Sequence, residues 1–131
     1  MAEDKKKEID VTVIEVTEEY LKEKQYKIRG KRVLLDADLA EIYGYDTKGF
    51  NRQVKNNIEK FDEDFMFELT DEELEDLRYK NCTANISSKS RYNPHVFTEQ
   101  GLYMLMTVLK GPLAVKQSKA LIRTFKKMKD Y

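Results

Sequence analysis

The chain is poor in the residues that small catalytic and secreted domains depend on. Its single cysteine, Cys82, cannot form an internal disulfide, and its single histidine, His95, leaves paired-histidine metal sites without ligands. The five glycines, Gly30, Gly44, Gly49, Gly101 and Gly111, stand apart from one another, so no glycine-rich phosphate-cradling loop is visible. No apolar run approaches the length of a membrane span, and no apolar stretch follows the charged start MAEDKKKEID. The expectation is a reducing, cytoplasmic setting, no membrane, no cofactor and no enzymatic activity.

Net charge is also missing, since 24 Lys plus Arg cancel 24 Asp plus Glu over 131 residues. The cancellation hides strong polarity. Residues 1–25, 26–60, 61–76, 77–98 and 99–131 carry net charges of −3, +3, −9, +4 and +5. Nine carboxylates between Asp62 and Asp76 lack the alternating ligands and glycine of a calcium loop, so they read as a solvated acidic face. Such a face repels DNA, and is expected to point away from any DNA the protein meets.

The length suits one domain with a tail. Residues 1–24 read as a polar N-terminal segment with a possible strand in VTVIEV, Val11 to Val16. Gln25 to Arg29 and Arg32 to Leu35 read as a hairpin turning at Gly30-Lys31. A short helix then opens at Asp36 as N-cap, carries Leu39, Ile42 and Tyr43 on one face, and stops at Gly44. A second helix, Thr47 to Ile58, repeats apolar residues every four positions at Phe50, Val54 and Ile58, with Phe61 just beyond. FMFEL reads as a strand and Thr70 to Glu73 as a capping box that opens a helix through about Arg78. Asn81 to Asn93 reads as an exposed loop or wing. Thr98 caps a buried helix, Glu99 to Lys110, which ends at Gly111-Pro112. A last amphipathic helix, Leu113 to about Lys129, carries the stripe Ala114, Ser118, Leu121, Phe125 and Met128. The fold class is a small α+β domain: a short hairpin, a helix-turn-helix-like pair, a possible wing and two C-terminal helices.

Two short helices about a glycine turn, the second apolar inside and basic outside, form the pattern of a duplex reader. Lys48, Arg52 and Lys55 suit phosphate neutralisation, while the amides of Asn51, Gln53 and Asn56 carry the donor and acceptor that match an adenine edge. Any surface helix of a charged protein is polar outside, so the pattern alone is weak. What raises it is that Thr47 to Ile58 contains no carboxylate. Arg29, Lys31, Arg32, Lys89 and Arg91 are candidate backbone contacts at the flanks.

These residues resemble a known family, the ORF-six N-terminal domain of phage antirepressor-type proteins, related to the KilA-N and Bro-N DNA-binding domains. The resemblance spans about residues 25 to 127 and rests on IRGKRVLLDADLAEIYG, TKGFNRQVKNNIEKFDEDFMFELT, Leu77-Arg78 and RYNPHVFTEQG, in that order. It implies a KilA-N-like DNA-binding domain over 25–131, in a phage or prophage regulator of transcription. The chain departs from the family pattern at Asp62, where proline is frequent, at Ser87 to Ser90, and at His95, where an aromatic is common.

The expected partner is double-stranded DNA. An alternative from another class is a protein-interaction module that binds a repressor through the acidic block or the last helix. A homodimer through Leu121, Phe125 and Met128 would suit a palindromic site. A hydrolase built on Asp62, Asp64 and His95 is the least supported reading. His95 beside Pro94, and Thr98 to Gly101, read as structural, and Cys82 as an inert thiol.

Overall fold

The computed structural model describes residues 13–80, Ala84, Ile86 and 92–129. Among them the first regular element is a helix where no helix was expected. Thr17 adopts an extended backbone and its hydroxyl accepts from the Tyr20 N–H, opening α1, Glu18–Lys24. Glutamates fill its first turn and lysines its last, in the order that complements the helix dipole. The strand expected at Val11 to Val16 does not form over the residues described, because Val13 to Val16 find no strand partner. Two of their carbonyls accept from side chains of the last helix instead. Gln117 Nε2 donates to the Ile14 carbonyl at 2.8 Å, and Thr124 Oγ1 donates to that of Val16 at 3.3 Å.

The hairpin follows as β1, Gln25–Ile28, and β2, Lys31–Leu35. The turn lies one residue earlier than the sequence suggested. Ile28 pairs with Lys31, so Arg29 and Gly30 form the two-residue loop, both at positive φ (55° and 74°), which matches the twist of the strands. β2 runs directly into α2, Asp36–Tyr43, whose N-cap is Leu35 and not Asp36. Gly44, at φ 76°, ends α2 in the left-handed conformation, and three residues later α3, Thr47–Lys55, begins. Asp46 caps α3 through the Gly49 N–H at 2.7 Å.

The helix stops at Lys55, short of the expected Ile58. Asn57 Nδ2 donates to the Gln53 carbonyl at 2.9 Å and the chain turns into a single 3-10 turn, Ile58–Lys60. Phe50, Val54 and Phe61 are buried as expected, but Ile58 is 53% exposed.

β3, Met66–Glu68, leads into α4, Asp71–Lys80, through a reciprocal capping box. Glu73 N–H donates to Thr70 Oγ1 at 3.1 Å, and Thr70 N–H donates to Glu73 Oε1 at 2.9 Å. β4, His95–Phe97, precedes α5, Glu99–Leu105, capped by Thr98. α5 is shorter than the expected Glu99 to Lys110, and Tyr103 is not core. The residue is 42% exposed and its hydroxyl donates to Glu99 Oε2 at 2.7 Å. α6, Pro112–Lys129, closes the fold.

The four strands form one antiparallel sheet in the order β1-β2-β4-β3. Register sorts its side chains between two cores. Leu34, Phe97 and Met66 share the face covered by α1, α2, α3, α5 and α6. Leu35, Val96 and Phe67 share the other, where Leu69 and Leu77 of the acidic segment pack, with Ala84 and Ile86 against them. Phe97 anchors the larger core, with Phe50 at 5.7 Å and Phe61 at 5.9 Å in edge-to-face geometry. Truncating either partner ring would cost about 3–5 kcal/mol.

Candidate nucleic-acid interface

α3 has to carry an apolar inner face and a solvated outer face to sit where it does. Phe50 and Val54, four residues apart, bury that inner face. The other side of the helix carries Lys48, Arg52, Lys55 and Asn56, all exposed, with Gln53 half-buried between them. Lys48, Arg52 and Lys55 enter no ion pair among the described residues. Three cations without counter-charges on one helical face repel one another mildly and attract any polyanion.

Asn51 has a different place from the one its sequence position suggested. Its Nδ2 donates to Asp36 Oδ2 at 3.0 Å, so half of its amide points inward. The same oxygen accepts from the His95 backbone N–H at 3.1 Å, with His95 Nδ1 at 3.8 Å, and Asp36 Oδ1 accepts from the Ala37 N–H at 2.7 Å. Asp36 is 5% exposed. One buried carboxylate therefore ties the start of α2, the middle of α3 and the first residue of β4 together. It sets where the outer face of α3 points. Nothing in the spacing of Asp36, Asn51 and His95, spread over 59 residues, signalled that they converge.

Tyr43 and α6 brace the pair from behind. Tyr43 Oη and Ser118 Oγ lie 2.8 Å apart, and Gln117 Nε2 donates to the Ile42 carbonyl at 2.9 Å. Burial pushes the Tyr43 hydroxyl pKa up. A Cβ on Gly44 would meet only the movable end of the Leu113 side chain, Cδ2 at 2.9 Å, so it is the left-handed backbone angle, φ 76°, that favours glycine at this turn.

The flanking cations divide. Lys31 and Arg32 are exposed near the hairpin tip, roughly 16 Å along β2 from Asp36 at the usual rise of a strand. Arg29 is engaged within the protein: Nε donates to Glu73 Oε2 at 2.7 Å, Nη2 donates to Oε1 at 3.1 Å, and the guanidinium lies 4.0 Å from the Phe67 ring centroid. The Arg29 hydrogen bonds hold the Glu73 pKa down at about 2. Lys89 and Arg91, with Cys82 and most of the expected wing, lie outside the described residues.

The acidic helix α4 packs on the sheet face opposite α3. The carboxylates of α4 therefore lie across the sheet from the basic outer face of α3. Among the described residues no group of histidine, cysteine or carboxylate side chains could hold a metal, and no helix is long and apolar enough to cross a membrane.

The model of the ORF6N domain matches residues 23–108, about two thirds of the chain, including the hairpin, α2, α3, the acidic segment and α5. The chain belongs to the ORF6N domain family. Neither the curated proteins nor the solved structures contain a match. The ORF6N span takes in every described residue of the Asp36 junction and stops before α6. Membership agrees with the family read from the sequence and with a phage-type regulatory domain.

Proposed function

We propose that this ORF6N domain is a non-enzymatic reader of double-stranded DNA that lays α3 in the major groove, as part of a phage or prophage regulator of antirepressor type. The observation that carries the reading is the outer face of α3: Lys48, Arg52 and Lys55 exposed, acid-free and without ion pairs among the described residues. A helix of this width fits the major groove, and three cations on one face can each displace condensed counterions. Gln53 and Asn56 are the amides left to address base edges, while Asn51 holds the helix in place through Asp36. Lys31 and Arg32 supply a second, weaker electrostatic contact.

Mobility shifts on a random-sequence duplex pool test the docking. The Lys48/Arg52/Lys55 triple alanine is expected to lose most of its binding, while Asn56→Ala retains affinity and alters which sequences are selected. Unchanged shifts in the triple variant, with its fold intact by circular dichroism, would remove α3 as the docking helix.

A further inference from the structure

α6 presents more than its apolar stripe. Ala114, Leu121 and, in part, Phe125 and Met128 are covered by the core of their own chain, so the stripe expected to support a dimer is already occupied. At about 100° per residue, the opposite side of α6 gathers Val115, Lys119, Ile122 and Arg123, with Lys116 at its rim. Val115 is 54% and Ile122 43% exposed, two aliphatic residues seven positions apart on one line. Lys116, Lys119 and Arg123 form no ion pair among the described residues, and α6 contains six basic residues and no acid.

α4 is the counterpart. Opposite its buried Leu77 lie Glu72, Glu75, Asp76 and Tyr79, and Tyr79 is 89% exposed. Asp76 pairs with Lys80 at 3.2 Å, while Glu72 and Glu75 have no ion pair among the described residues. α6 thus offers two exposed aliphatics among cations, and α4 one exposed aromatic beside Glu72 and Glu75, with Arg78 and the Asp76-paired Lys80 at its edges. They cannot meet within one chain, because α4 packs on one face of the sheet and α6 on the other.

We propose that the outer face of α6 docks the outer face of α4 of a second copy of this chain, with Tyr79 seated against Val115 and Ile122 and with Lys119 and Arg123 against Glu72 and Glu75. A symmetric α6-to-α6 contact would set lysines against lysines; the head-to-tail contact sets opposite charges together and protects the aliphatics. Because it joins two different surfaces, the contact propagates and can order several copies in a row. The central aliphatics also make this face a poor phosphate surface, which separates it from α3.

Sedimentation of the full chain, freed of nucleic acid, tests this in about 50 mM and about 300 mM salt, where screening of exposed charge differs severalfold. The wild type is expected to grow in mass with concentration at low salt and to weaken at least tenfold at high salt. Lys119→Glu with Arg123→Glu, and separately Glu72→Lys with Glu75→Lys, are expected to remain monomeric alone and to reassociate when mixed, since the mixture restores both opposite-charge contacts. All four positions are exposed, and thermal melts of each variant serve as the check on folding. A monomeric wild type at several hundred micromolar, association of either variant alone, a closed dimer of fixed mass, or failure of the mixture to reassociate would each overturn the proposal. Loss of DNA binding in the α6 variant without wild-type self-association would assign this face to DNA instead.

Discussion

Replacing Asp36 by alanine removes the acceptor that joins α2, α3 and β4. The carboxylate takes three N–H donors, of which two, Asn51 Nδ2 at 3.0 Å and the His95 N–H at 3.1 Å, come from other elements. Hydrogen bonds to charged groups contribute about 1.5–3 kcal/mol each, and recovering the desolvation of a buried carboxylate offsets part of the sum. The net loss is expected to be about 3 kcal/mol, or roughly 12 °C in Tm for a chain of this size. Asp36→Asn keeps one carbonyl oxygen at the shared position and turns an amide toward Ala37, so it is expected to lose about half as much. Urea unfolding of the wild type, both Asp36 variants, Asn51→Ala and the double variant gives the coupling between Asp36 and Asn51 directly, expected at about 1.5 kcal/mol. A loss below about 1 kcal/mol in Asp36→Ala, or additive single variants, would show that the junction does not hold α3.

A Cβ at Gly101 would lie 2.0 Å from the Phe65 carbonyl oxygen, backbone that cannot step aside, so Gly101→Ala is expected to cost at least about 3 kcal/mol in urea unfolding. Glu73 has its pKa held at about 2 by Arg29, so the stability it contributes is complete above the ordinary glutamate range and is lost as pH falls toward 2. The pair is partly exposed, so the loss should be about 1 kcal/mol, and Arg29→Ala should abolish that part of the acid dependence. The Tyr20 hydroxyl is buried without a hydrogen-bond partner among the described residues, and burial with the nearby Asp38 charge pushes its pKa up to about 12. Tyr20→Phe is therefore expected to leave the melting temperature unchanged or raise it, and a fall of several degrees would point to a bond not seen here.

The elements that the sequence made legible are those whose signals are local. The Thr70/Glu73 capping box, the Gly44 stop, the hairpin and the four-residue spacing of Phe50 and Val54 each act within a turn or two of chain, and each appears in the structure. α1 was missed because its seven residues bury only Leu21, too little for a helical period to show. Its local signal was Thr17 followed by two glutamates, with lysines at the end. The Ile58 extension failed because a side-chain cap from Asn57 competes with continuation of the helix, which spacing does not reveal. The sequence places Asn51 and Arg29 on the outside because side-chain partners 15 and 44 residues away are set by tertiary packing alone. The placement of α4 across the sheet from α3 follows from strand register, which alternation within three-residue strands is too short to announce.

The slope of log Kd against log salt concentration on one duplex, for the wild type and for the Lys48/Arg52/Lys55 triple alanine, addresses α3 most directly. Each phosphate neutralised contributes about 0.9 to the slope, so the triple variant is expected to be shallower by about 2.7. Equal slopes and equal affinities in the two proteins would contradict docking through α3.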